Sequence, residues 1–153
     1  MALLRLAALL ALAACNSAGA QPTPTPTTAA SGVKVPAGWT VLPALAAQTG
    51  VPNAEAWGDP ARGCYAVWFH LQGSGATAEA VLAGLAAEQI ATSDLVKPEA
   101  DGIVAATFAK GAYTGRLRAR IADGAITTLA CFANRREPKS CELPCTTVLG
   151  ALP

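Results

Sequence analysis

Residues 114–133 read TGRLRARIADGAITTLACFA and contain two strand patterns joined by a tight turn. Over 114–122, arginine alternates with leucine, alanine and isoleucine, and this period of two places the apolar side chains on one face of a strand. Asp123-Gly124 then supplies two residues that readily adopt positive φ, as a two-residue hairpin loop requires. A second strand is predicted over 125–133, where both faces are mainly apolar.

Two further strand patterns lie upstream of this hairpin. Ile103–Lys110 predicts a strand that forms a three-strand meander with it. Cys64–Leu71, CYAVWFHL, is apolar at odd and even positions alike, and it predicts a central strand covered on both faces. In this strand Tyr65, Val67, Phe69 and Leu71 share one face, and Cys64, Ala66, Trp68 and His70 share the other.

Helices are predicted after the central strand and at the carboxyl end. Thr77 is a suitable N-cap for a helix over 77–91. Ser140 is a suitable N-cap for a helix over 140–149, in which Pro144 lies in or near the first turn and is tolerated there.

The opening of the domain supplies the remaining elements. Residues 33–41 predict a hairpin around Pro36-Ala37-Gly38, with Trp39 turned inward. The expectations that follow are a loop or helical turn near Pro43–Gln48, a short strand over 54–58 and a turn over 59–63. This order of elements predicts an α+β fold, with a mainly antiparallel sheet and two packed helices.

Residues 1–14 have the three parts of a secretory signal. Arg5 gives the start of this segment a positive charge. Leu6–Leu12 is apolar but too short to span a bilayer, and small residues follow it. Leu12-Ala13-Ala14-Cys15 resembles the lipobox of bacterial lipoproteins at all four positions. The resemblance implies that diacylglycerol is transferred to the sulfur of Cys15, that residues 1–14 are removed, and that the lipid anchors the chain.

The segment 15–32 is predicted to be a tether. It lacks large apolar side chains, and its alternating prolines favour an extended chain of about 3.1 Å per residue, which reaches up to roughly 50 Å. Residues 33–153 then form a single domain in the bacterial cell envelope. Asn16 stands where aspartate is an inner-membrane retention signal, so an outer-membrane location is favoured if the cell is Gram-negative.

The Val35-Pro36-Ala37-Gly38-Trp39 opening, the mid-chain helix, the three-strand meander and the terminal helix are similar to the Mog1/PsbP-like fold. PsbP-related and LpqN-type lipoproteins have this fold, and the similarity covers the order of elements over nearly all of 33–153. It implies a domain that binds proteins or assists assemblies and is not an enzyme. It transfers no site residue to this chain.

Four cysteines remain after Cys15, and an even number in an exported chain predicts two disulfides. Cys131 ends a strand, and Cys141 and Cys145 begin the next helix. We favour one bond from Cys131 to that helix, with Cys64 taking the remaining thiol. The alternative joins Cys64 to Cys131 and Cys141 to Cys145. A different hypothesis makes Cys141 and Cys145, with His70, a thiol or soft-metal site.

Composition excludes several classes of function. Eleven basic and ten acidic side chains give a net charge of +1, which argues against a nucleic-acid partner. The carboxylates are scattered, and no phosphate loop or cofactor motif is present. Ser74 lies close to His70, the single histidine, so an envelope hydrolase remains an alternative. The expected domain has no catalytic residue, metal or cofactor.

Arg116, Arg118 and Arg120 are expected to point outward from one sheet face. They are a possible docking face for an acidic envelope protein or an anionic envelope polymer. The alternative is a solvated face whose arginines pair with Glu and Asp. Together these observations predict a membrane-anchored lipoprotein with a non-catalytic domain that binds an envelope protein.

Overall fold

In the part of the chain that the structure describes, seven strands form one antiparallel sheet. The structure is a computed structural model that describes residues 29–73, 75–97 and 102–152. The strands are β1 Thr40–Val41, β2 Glu55–Asp59, β3 Cys64–Gln72, β4 Ala91–Val96, β5 Ile103–Lys110, β6 Tyr113–Ala122 and β7 Ala125–Asn134. Their order in the sheet is β1-β2-β3-β7-β6-β5-β4. The helices are α1 Pro43–Gln48, α2 Ala78–Ala87 and α3 Glu142–Leu149. The predicted α+β class with an antiparallel sheet is confirmed.

The hairpin predicted over 114–133 forms with its loop at the expected dipeptide. Asp123 and Gly124 have φ values of 52° and 71°, and Ala122 pairs with Ala125 directly across the loop. β5 pairs with β6 on the other side, which completes the predicted meander. The central strand is also confirmed, because β3 lies between β2 and β7.

The two faces of the sheet carry separate cores. We call the face that bears Val67, Leu117 and Ala119 the front face, and α1 and α2 cover it. We call the face that bears Ala66 and Leu129 the back face. There α3 and residues 29–39 pack over Trp57, Leu129 and Cys131. The division of β3 side chains between these faces is the predicted one.

The sequence-based end of α2 is wrong by four residues. Thr77 caps the helix as expected, and its hydroxyl accepts a hydrogen bond from the Ala80 N–H at 3.1 Å. The helix ends at Ala87 rather than at 91, because Gln89 takes a left-handed φ of 56°. Ala91 then begins β4, an exposed edge strand that the sequence did not reveal, since none of its side chains is buried.

The predicted opening hairpin is also incorrect. The turn forms, with the Trp39 N–H donating to the Pro36 carbonyl at 3.2 Å, and Trp39 is buried as expected. However, β1 pairs with β2, where Thr40 lies opposite Gly58. The strand expected over 54–58 is β2, one residue further on, and the helical alternative over Pro43–Gln48 is α1.

Ser140 does not cap the terminal helix. Its hydroxyl donates to the Glu137 carbonyl at 2.8 Å within a 3₁₀ turn over Pro138–Cys141, and α3 begins only at Glu142. Pro144 therefore occupies the third residue of α3, within the first turn, where its missing N–H breaks no helical hydrogen bond.

The N-terminal segment contacts the domain earlier than the predicted boundary at 33. Ala29 is buried in the back-face core. The Ser31 N–H and hydroxyl donate to the two carboxylate oxygens of Glu55 at 2.9 and 2.8 Å. Residues 29–32 thus pack on the sheet. The predicted signal segment 1–14, Cys15 and the tether up to residue 28 lie outside the described residues.

Candidate docking surface

Two disulfides attach the terminal helix to the back face. Cys64 bonds to Cys141, and Cys131 bonds to Cys145. Cys64 and Cys131 lie on neighbouring strands, with Ala66 directly opposite Cys131, so both sulfurs point toward α3. This is the favoured pairing, and the alternative with a Cys141–Cys145 bond is wrong.

The disulfides bear on the hypothesis of a thiol or soft-metal site. The sulfurs of Cys141 and Cys145 are each bonded to another cysteine, so neither is a thiolate ligand in this state. His70 is exposed, and its Nδ1 lies 2.9 Å from Thr127 Oγ1. Across 29–73, 75–97 and 102–152, no group of three or more His, Cys, Asp or Glu side chains is arranged to hold a metal.

Of the two residues named for the hydrolase alternative, the structure describes His70. His70 contacts the Thr127 hydroxyl and stacks against Trp68 at a centroid distance of 6.5 Å. A triad histidine would instead contact a nucleophile and a carboxylate. Ser74 lies outside the described residues.

The arginines of β6 lie on the back face beside α3. Arg116 Nη2 donates to Thr146 Oγ1 at 2.9 Å, and Arg118 Nη1 donates to the Leu149 carbonyl at 3.1 Å. Arg120 is exposed and contacts no described side chain or carbonyl through a hydrogen bond. The three arginines thus share one sheet face, as the sequence indicates, and two of them also hold the terminal helix.

Arg118 has a specific structural role at the end of α3. The last carbonyls of a helix have no partner within the helix, and cations are favoured at its negative end. The Leu149 carbonyl is one of these groups, and the half-buried Arg118 guanidinium supplies its donor. The sequence showed the spacing of the arginines, but only the packed structure shows where α3 ends.

We therefore expect Arg118→Met to lower the free energy of unfolding by about 1–2 kcal/mol, since it leaves the Leu149 carbonyl without its donor. Arg120→Met is the matched control, because Arg120 lies on the same strand and face without such a bond, and its effect should stay within about 0.5 kcal/mol. Urea denaturation followed by circular dichroism measures both. Equal effects of the two substitutions would contradict this role for Arg118.

The positive charges of this strand lack acidic partners within the described part of the chain. Ion pairs there join Arg62 to Asp59 at 3.4 Å and Lys110 to Glu88 at 3.7 Å. Arg116 and Arg118 bond only to neutral oxygen atoms. The alternative in which Glu and Asp neutralise the face thus finds no support among these residues.

Over 29–73, 75–97 and 102–152, the back face is open on the side of the arginines. α3 packs on β7 and β6, while α2 packs on the front face. Along β5 the front-face residues Val104 and Ala106 are buried, and the alternate residues on the back face are only half-buried. We use the term basic shelf for the back-face residues beside α3. They are Thr114, Arg116, Arg118 and Arg120 of β6 and, directly opposite them, Ala109, Thr107, Ala105 and Ile103 of β5.

A groove lies at the base of the basic shelf, between β6 and the start of α3. It has a volume of about 340 Å³, and its lining includes Thr114, Arg116, Lys139 and Glu142. The cysteines of both disulfides except Cys64 also line it. Sequence reasoning did not single out Lys139, because nothing local indicates that the 3₁₀ turn places it beside β6.

An aromatic cluster on the front face explains one glycine of β6. Phe132 packs against Tyr65 and Tyr113 at centroid distances of 5.5 and 5.8 Å. A Cβ atom at Gly115 would lie 2.6 Å from the Cβ of Phe132, so the cluster needs glycine there. Burial, followed by the nearby Tyr113 and Asp59, raises the pKa of Tyr65 above its ordinary value of 10.0.

The chain matches no protein-family model, no curated protein and no solved structure. Over the described residues, no helix combines the length and hydropathy needed to cross a membrane.

Proposed function

We propose that this chain is an exported bacterial lipoprotein, anchored to a membrane of the cell envelope through Cys15, whose domain binds a protein partner without catalysing a reaction. The observation that carries the anchor is the sequence Leu12-Ala13-Ala14-Cys15 directly after a short apolar segment. Cleavage before Cys15 removes residues 1–14. In a Gram-negative cell, Asn16 favours the outer membrane as the destination.

The disulfides support export. Bonds of this kind form and persist in oxidising compartments and are rare in the cytosol. All four cysteines that follow Cys15 are paired, and both bonds hold the terminal helix on the sheet. A domain with this chemistry is suited to the bacterial envelope.

We also propose that the domain is Mog1/PsbP-like. The order of elements supports the resemblance: an opening segment with an inward-facing Trp39, a mid-chain α2, the β5-β6-β7 meander and a terminal α3. Domains of this fold bind proteins or assist assemblies. The basic shelf is the surface that we assign to partner binding here.

The decisive experiment compares the wild-type chain with Cys15→Ser in a bacterial host. We expect the wild-type protein to incorporate labelled fatty acid and to sediment with membranes, and the variant to lose all label and all membrane association, because a single sulfur carries the diacylglycerol. Mass spectrometry of the N-terminal peptide checks that the mature wild-type chain begins at Cys15.

Cys64→Ser with Cys141→Ser is the matched control, since it alters cysteines without touching the lipobox. This double variant should still be lipidated if it is exported. Persistent membrane association of Cys15→Ser, or a wild-type chain that carries no lipid, would contradict the proposed anchor.

A further inference from the structure

We infer that the basic shelf binds an extended, acidic segment of a partner protein, with carboxylates at alternate positions along the segment. This inference deepens the proposed binding function and depends on it. Four observations carry it. They are the charge of the arginines, the spacing of the arginines along β6, the exposed surface of β5 that forms the floor of the shelf, and the position of α3.

Charge comes first. The guanidinium groups of Arg116, Arg118 and Arg120 share one face of one strand. Three like charges on adjacent same-face positions repel one another, and no described carboxylate forms an ion pair with them. Lys139 and Glu142 also line the base groove, and His70 lies two strands from Arg120, across Thr127 of β7. An acidic ligand relieves this repulsion.

The spacing favours a chain in strand-like conformation. Alternate residues of a strand repeat at roughly 6.6–6.8 Å. An extended segment that runs along β6 repeats its own side chains at the same interval, so every second residue of the ligand meets one arginine. Each guanidinium has five N–H donors, and the hydrogen bonds of Arg116 to Thr146 and of Arg118 to Leu149 use one donor each. Within the described part of the chain the remaining donors have no hydrogen-bond partner, so they can bind a carboxylate with two parallel hydrogen bonds.

The β5 residues that form the floor of the shelf leave room for the backbone of a bound segment. The residues of β5 opposite Thr114, Arg116 and Arg118 are Ala109, Thr107 and Ala105, which have small side chains. They are half-buried, so nothing in the described chain fully covers them. A segment lying on this floor contacts β5 below and α3 at its side.

α3 makes the surface a channel with one wall rather than a flat patch. Thr146, which accepts the Arg116 bond, belongs to this wall, and the groove of about 340 Å³ lies at its lower end. A surface bounded by α3 on one side restricts the direction and the width of an extended chain that binds along it. Binding of a charged polymer of any shape does not require such a boundary. We therefore assign the shelf to a protein segment and treat general polyanion binding as an outcome of the test.

Membrane lipid is disfavoured as the ligand by the proposed tether. Since residues 29–32 pack on the sheet, an extended tether over 16–28 reaches up to roughly 40 Å, and electrostatic attraction to a lipid surface is screened over about 8 Å at physiological ionic strength. The mature side chains also balance at ten basic and ten acidic residues, because Arg5 leaves with the signal segment.

The test uses the full mature chain, purified from the host with its disulfides intact. Two labelled decapeptides of equal charge serve as probes: (Glu-Thr)₅, and a block peptide with five Glu followed by five Thr. Fluorescence anisotropy measures both dissociation constants. We expect the alternating peptide to bind at least fivefold more tightly than the block peptide.

Arg116→Gln with Arg120→Gln should weaken binding of the alternating peptide at least tenfold. The matched control, Lys34→Gln with Arg136→Gln, also removes two exposed positive charges but none from the shelf, and should change binding less than twofold. Thermal unfolding of each variant confirms that its domain is folded, which is needed because Arg116 also bonds to α3 through Thr146. Arg118 is left intact because it is half-buried and supplies the donor for the Leu149 carbonyl at the end of α3.

Three results would overturn the inference. They are absence of binding, equal binding of the two peptides, and equal losses in the shelf and control variants. Dextran sulfate and phosphatidylglycerol vesicles are tested in parallel. If either binds as tightly as the alternating peptide with the same dependence on Arg116 and Arg120, the shelf recognises charge alone. Lipid attachment at Cys15 is measured separately, so failure of the anchor and failure of the shelf are distinguishable.

Discussion

Replacing Cys64 and Cys141 together by alanine should lower the free energy of unfolding by about 4.5 kcal/mol, whereas replacing Cys131 and Cys145 should lower it by about 3 kcal/mol. The difference follows from the loop that each bond closes. Cys64 and Cys141 are separated by 77 residues in the sequence, and Cys131 and Cys145 by 14. A longer closed loop removes more conformational entropy from the unfolded chain.

Both double variants leave similar alanine pairs in the back-face core, so each serves as the control for the other. Urea denaturation of the non-reduced full chains measures the two losses. A larger loss in the Cys131/Cys145 variant, or no loss in either, would contradict this entropic account. Either loss is a large share of the roughly 5–15 kcal/mol that stabilises a typical domain.

Leu129→Ala should cost about 3–4 kcal/mol, because it opens a cavity at the centre of the back-face core. Leu129 is 0% exposed and lies between Trp68 and Arg118 in the sheet register, beneath the side of the sheet that α3 covers. The surrounding disulfides limit how far the structure relaxes into the space. The loss is measured by urea denaturation.

The chain offers a matched control for this substitution. Leu143 lies on α3 but is 77% exposed, so Leu143→Ala removes the same atoms from a site that is already in water. Its effect should stay within about 0.5 kcal/mol. If the two alanine variants unfolded at the same urea concentration, the packing of α3 against Leu129 would be refuted.

The sequence predicted those parts of the fold that are specified by neighbouring residues. Asp123-Gly124 and the alternation around it determine the β6-β7 hairpin, and the continuous apolar run of β3 indicates a strand covered on both faces. The favoured disulfide pairing followed from the position of Cys131 at a strand end before the cysteine-bearing helix. These features depend on local pattern and short connections.

The parts that were missed depend on distant contacts. β4 has no buried residue, so it carries no alternation, and β1 selects β2 as its partner across an intervening helix. The candidate surface was predicted in part. The positions of Arg116, Arg118 and Arg120 on one face follow from period two, but their bonds to α3 and the open floor on β5 follow from tertiary packing.

The Ser31–Glu55 contact has a mechanical consequence if the lipid anchor is as proposed. A pull on the tether reaches the sheet where Ser31 meets Glu55 on β2, and β2 is bonded along its length to β3. The load then enters at one side of the sheet, while β6 lies three strand positions away. With strands about 4.8 Å apart, this separates the loaded strand from the arginine strand by roughly 14 Å. A stretched tether would therefore strain the β1-β2 side first and leave the arginine-bearing strand under little tension.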